Sequence, residues 1–155
     1  MKRNARTFMI LAAIALVVAV LRYFMKGWLQ PLGVSDFAGS FVASITLVTL
    51  VGLVIVFARE GRSAGGSYWR AAAWFAAFAV WCQALIITGI LFAARTGAAT
   101  YYDEMMGKHM TLPPIQHALQ HGIAAAGVAI VGMILGAPIY LVAKRGRRAV
   151  SATAQ

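Results

Sequence analysis

Four long apolar stretches, each ended by basic or turn-forming residues, dominate the chain. They cover residues 8–26, 37–58, 69–94 and 117–143. An α-helix needs about 20 mainly apolar residues to cross the ~30 Å hydrocarbon core of a bilayer. The pattern therefore predicts an all-α integral membrane protein, a four-transmembrane-helix bundle forming one domain over residues 1–155. Residues 144–155 are predicted to form a basic, disordered tail.

The composition supports a lipid environment. Hydrophobic residues make up 61% of the chain and charged residues 12%, whereas soluble domains carry roughly 25% charged residues. The net charge of +10 does not indicate nucleic-acid binding, because Lys and Arg stand at the ends of the apolar stretches and not in a patch with interleaved aromatics.

The only cysteine, Cys82, lies inside an apolar stretch. We expect it to be a small buried hydrophobe.

The basic residues predict an orientation. Cytoplasmic segments of membrane proteins retain an excess of Lys and Arg, and the chain has 14 such residues. Both termini and the loop between the second and third stretches carry Lys2, Arg3, Arg6, Arg59, Arg62, Arg70, Lys144, Arg145, Arg147 and Arg148, and the other side carries only Arg22, Lys26, Arg95 and Lys108. The expected topology is N-in/C-in, with a short outer-face loop between helices three and four. We expect a bacterial-type inner membrane and an uncleaved first span.

The spans carry small and weakly polar residues suited to helix packing. Gly132 and Gly136 form a GxxxG pattern, which packs helices closely either within one chain or between chains. Gln83 is the most polar residue deep in a span, and we expect it to bond to a neighbouring helix, for instance to a hydroxyl of span two. Asp, Glu, Lys and His are absent from the centres of the spans. An ion-coupled carrier usually needs such groups, so we do not expect one.

The chemically unusual segment is the connection between the third and fourth spans. All three histidines of the chain, His109, His117 and His121, lie within thirteen residues there. On a helix His117 and His121 are one turn apart and share a face, a spacing that lets two imidazoles hold one metal ion. His109 is the candidate third ligand, and Glu104 or Met110 the candidate fourth ligand or tuning group.

Three cofactors are compatible with this segment. A set of histidines with a carboxylate suits zinc in an open geometry. Thioether and imidazole ligands favour copper(I). Haem is the third option, with His121 as an axial ligand. The alternative is that the histidines bind nothing, with His117 in the headgroup region and His121 bonded to a carbonyl or tyrosine.

Two classes of function are consistent with these features. The first is a non-enzymatic accessory or structural subunit that docks on a membrane-protein partner or a second copy and binds a metal or haem at its outer face. The second is a small metal-dependent membrane enzyme, or a copper- or zinc-handling protein, acting at the outer interface. We favour the first, because an enzyme acting on lipid or peptide would need a second polar constellation to bind its substrate.

Overall fold

A computed structural model describes residues 2–105, 108–109 and 112–153, with side chains over 4–102 and 112–149. Five helices make up most of the fold: α1 Lys2–Leu29, α2 Asp36–Val42, α3 Ile45–Arg62, α4 Tyr68–Thr96 and α5 Pro114–Thr153. The connections contain the 3₁₀ helices Gln30–Leu32 and Tyr101–Asp103 and a two-stranded antiparallel ribbon, β1 Glu104–Met105 with β2 Lys108–His109. We call the end of the bundle that carries this ribbon the ribbon end.

Within the described residues, four helical units are long and apolar enough to cross a membrane. They are α1 with the following 3₁₀ turn, α2 together with α3, α4, and α5. The predicted four-span helical membrane fold is confirmed at this level. The helices overlap the four predicted apolar stretches, but α1 begins at Lys2 and not at residue 8, and the second stretch forms two helices.

The predicted disorder of the basic tail is wrong for residues 144–153, because α5 continues unbroken to Thr153. Lys and Arg are good helix formers, so the basic sequence extends the helix. Contacts with the loop between α3 and α4 also fix it: Arg147 Nη1 donates to Ser63 O at 3.0 Å, and Tyr140 Oη donates to Gly66 O at 3.0 Å. Residues 154 and 155 lie outside the described part of the chain.

The second span is broken between α2 and α3, at Ala43 and Ser44. The Ser44 hydroxyl begins α3 by accepting a hydrogen bond from Leu47 N at 3.3 Å. On the other side of the break, Arg22 of α1 donates from Nη1 to Ser40 O at 2.9 Å and to Ala43 O at 3.1 Å. Carbonyls freed by a break in a membrane helix need such partners, so Arg22 stabilises the broken span.

Five glycines lie directly against aromatic side chains of neighbouring elements. The pairs are Gly39 with Tyr101, Gly52 with Phe78, Gly89 with Tyr102, Gly132 with Phe75, and Gly136 with Phe57. A Cβ atom added at any of these glycines would overlap the facing aromatic side chain, at the hydroxyl of Tyr101 opposite Gly39 and at a ring carbon opposite the others. The GxxxG pattern of α5 therefore packs inside the chain, against Phe75 of α4 and Phe57 of α3.

At the end of the bundle opposite the ribbon, one buried carboxylate bonds to groups from neighbouring helices. Glu60 of α3 is 3% exposed and pairs with Arg70 of α4, whose Nη2 lies 2.9 Å from Oε2. Arg70 Nε and Ser67 N also donate to this carboxylate, as does Asn4 Nδ2 of α1. Hydrogen bonds to an ionised group are about twice as strong as neutral ones, so Glu60 holds three helices together at this end.

Candidate functional site

His117 and His121 lie in the first two turns of α5, at the ribbon end of the bundle. Their ring centroids are 5.1 Å apart and their planes are tilted by 47°. His117 is 8% exposed, and His121 is half-buried. The one-turn spacing thus places both imidazoles together, as the sequence predicted.

Gln83 of α4 bonds directly to His121, one member of this pair. Its Oε1 lies 2.8 Å from Nδ1 of His121. An amide oxygen can only accept a hydrogen bond, so Nδ1 donates to it, and in the neutral imidazole Nε2 then keeps its lone pair. We expected a hydroxyl of span two as the partner of Gln83, but the Thr49 hydroxyl donates to Ile45 O within its own helix at 2.9 Å.

Both histidines line a cavity of about 520 Å³. Its apolar wall comes mainly from α2 and α3, with Ile86 of α4. Its polar lining residues are Arg22, Ser40, Ser44, Thr46, Tyr102, His117 and His121. The break in the second span therefore contributes directly to the site, because Ser40 precedes the break and Ser44 lies in it.

Arg22 contributes a positive charge to the wall of this cavity. Besides its bonds to the broken span, it donates from Nη2 to Tyr101 O at 2.6 Å, and its Cζ lies 5.4 Å from the Tyr102 ring centroid. Tyr102 Oη donates to Ala19 O at 2.9 Å. Burial raises the pKa of Tyr102 to about 12, against the opposing effect of the Arg22 charge. Tyr102 thus stays protonated and acts as a neutral support for Arg22.

Arg22 was predicted only as part of the charge distribution that sets the topology, and not as a site residue. The available signal was its position near the end of an apolar span, where a single arginine needs either water or acceptors from the protein. The acceptors are three backbone carbonyls from distant parts of the chain. Sequence spacing does not reveal such an arrangement.

The side chains of the other predicted ligands lie outside the described part of the chain. The backbone of Glu104 pairs with that of His109 across the ribbon, but both side chains lie outside the described part, as does all of Met110. Among the described side chains, no group of three or more His, Cys, Asp or Glu residues could hold a metal ion. The described site therefore offers two imidazoles and an orienting amide.

Comparison of the chain with protein-family models, curated proteins and solved structures finds no match. The fold defines a helical membrane protein with four spanning units. The candidate functional features of this fold are the histidine pair, Gln83 and the adjoining cavity.

Proposed function

We propose that this chain is a non-enzymatic, membrane-spanning accessory subunit that holds a metal ion between His117 and His121. The observation that carries the proposal is the 2.8 Å bond between Gln83 Oε1 and His121 Nδ1. Metal-binding imidazoles nearly always give their second ring N–H to an acceptor, which fixes the tautomer and the ring orientation. Gln83 supplies that acceptor, and the other nitrogen of His121 is left to bind the ion.

The separation of the two rings supports the same proposal. With metal–nitrogen bonds of about 2.1 Å, two imidazoles on one tetrahedral ion have ring centroids about 5 Å apart. The observed separation is 5.1 Å. Copper or zinc suits this donor set. We propose His109 as the third ligand, with Glu104 or Met110 completing or tuning the site.

The cavity polar groups favour binding over nucleophilic catalysis. Ser40 Oγ donates to Phe37 O at 3.0 Å, and the Ser44 hydroxyl caps α3. Both serines therefore serve the backbone of the broken span. These bonds argue against a serine nucleophile, and we propose the non-enzymatic class over the metal-dependent enzyme.

A membrane partner is part of the proposal. The spans formed by α1 and α5 bury the smallest shares of their apolar windows, 17% and 22%. Most of their surface is available to lipid or to another membrane protein. We propose a membrane-protein partner or a second copy against these helices.

Metal analysis of the native protein tests the metal site. Protein purified in mild detergent without chelators should contain about one copper or zinc ion per chain, measured by elemental analysis. An absorption scan of the same sample tests haem, with His121 as the axial ligand. If neither metal nor haem is found, the metal site is contradicted and only the accessory-subunit proposal remains.

We further propose a bacterial-type inner membrane with both termini in the cytoplasm. The support is the excess of Lys and Arg at the termini and at the loop between α3 and α4. A reporter fused after Gln155 should be active only if it is a cytoplasmic reporter. One inserted near Gly97 should be active only if it is an external one. The reverse pattern would contradict this orientation.

A further inference from the structure

A second cavity continues from the first along the bundle. It has a volume of about 440 Å³ and lies between α3, α4 and α5. Thr46 and Leu50 line both cavities. The two spaces therefore adjoin at these residues, and we call them together the α3–α5 groove.

This groove is polar at one end and apolar along the rest. The first cavity carries Arg22 and the two histidines, whereas the second is lined mainly by residues such as Leu53, Val131 and Leu135. From His121 to Leu135 the helix rises about 21 Å at 1.5 Å per residue. This length exceeds half of the ~30 Å hydrocarbon core, so the groove has the shape and polarity of an amphiphile.

We propose that the α3–α5 groove binds one anionic phospholipid of the surrounding bilayer, with its phosphate beside Arg22 and one acyl chain along α5. This inference goes beyond the proposed metal site and does not rest on it.

The lining of the head cavity favours a phosphate. Guanidinium groups suit phosphate oxygens, and three carbonyls hold the Arg22 guanidinium at the cavity wall. The broken span also places the N-terminus of α3 there, where the helix dipole favours an anion. The lining residues within the described structure include no carboxylate. A neutral head such as a quinone would gain less from this arrangement.

The position of the groove favours a lipid over free phosphate. Leu47 and Leu50 line the head cavity and are 42% and 50% exposed on the apolar surface of α3. The groove therefore opens toward the acyl chains of the bilayer. A free anion would leave the apolar part of the groove unused.

Two glycines of α5 provide a matched pair of variants. Gly127 lines the second cavity, whereas Gly122 lines neither cavity. A Cβ atom at either glycine would meet nothing within 4 Å, so leucine at both positions should leave the fold intact. Gly127→Leu fills the groove, and Gly122→Leu adds the same side chain elsewhere on the same helix.

The experiment uses full-length protein in nanodiscs that contain equal amounts of phosphatidylglycerol and phosphatidylcholine. After transfer to mild detergent, native mass spectrometry measures the retained lipid. The unaltered chain and Gly122→Leu should retain phosphatidylglycerol in clear preference to phosphatidylcholine. Gly127→Leu should retain at least about tenfold less, since loss of two methylene contacts already has that effect on affinity.

Several outcomes would overturn the proposal. Equal retention by Gly127→Leu and Gly122→Leu would show that the acyl chain lies elsewhere. Equal retention of both lipids by the unaltered chain would contradict a preference for an anionic headgroup. Recovery of an isoprenoid quinone with the protein from native membranes would assign the groove to a quinone instead of a phospholipid. Displacement of the lipid by inorganic phosphate would assign the cavity to a free anion. Metal content, measured on the same samples, should be unchanged in Gly127→Leu, which separates this result from a failure of the metal site.

Discussion

Replacing His121 with alanine should abolish metal binding, and replacing Gln83 with leucine should weaken it about 10–100-fold. His121 supplies a ligand from a helix, and Gln83 holds that imidazole through its Nδ1 proton. Without the amide oxygen, the ring is no longer fixed in the tautomer that presents Nε2 to the ion. A competition titration of the purified protein with a chromogenic chelator measures both effects.

Gln120→Leu is the matched control for the amide. Gln120 is exposed on the helix that carries His121, so the same substitution there should leave metal affinity unchanged. His109→Ala should lose less metal than His121→Ala, because a ligand in a short connection is less preorganised than one on a helix. Full metal content in His121→Ala would contradict the site, whatever the other variants do.

The features that depend on local periodicity could be predicted from the sequence. Four apolar stretches of sufficient length predict four spans, because lipid forces the backbone to satisfy its own hydrogen bonds. The contact between His117 and His121 follows from the helical repeat alone. In both cases the neighbours that decide the structure are neighbours in sequence.

The break in the second span could not be predicted in this way. Ala43 and Ser44 include neither glycine nor proline, and the break lies inside one of the long apolar stretches. The break is stabilised by Arg22, which is about twenty residues away, and the same guanidinium bonds to Tyr101 O from another connection. A feature held by three distant segments leaves no periodic signal in any one of them.

The partner of Gln83 illustrates the same limit. Its polarity inside a span predicted a bond to a neighbouring helix. Two helices carry a polar group that could be the partner: α3 with Thr49 and α5 with His121. The choice depends on Thr49, which bonds within its own helix, and on the depth at which α5 places His121. Likewise, the GxxxG pattern predicted a close contact without indicating whether the facing surface belonged to this chain.

Adding a single methyl group at Gly132 should destabilise the bundle, whereas the same change at Gly127 should not. A Cβ atom at Gly132 would overlap the edge of the Phe75 ring, whereas one at Gly127 would meet no described atom within 4 Å beyond its own neighbours and the backbone of its helix. Phe75 is buried, and its centroid is 6.1 Å from that of Phe57, the ring that fills the notch at Gly136. The ring therefore has little room to move.

We expect Gly132→Ala to cost about 1–3 kcal/mol through overpacking. Gly127→Ala should be neutral or stabilise the helix by up to about 1 kcal/mol. Gly136→Leu should prevent recovery of monodisperse protein in mild detergent, since its larger side chain meets Phe57. Unfolding by increasing fractions of denaturing detergent, followed by circular dichroism, compares the two alanine variants.

Combining Gly132→Ala with Phe75→Leu should cost less than the sum of the single changes, because the smaller side chain frees space for the methyl group. Equal stability of Gly132→Ala and Gly127→Ala would contradict the packing of α5 against α4 at this notch.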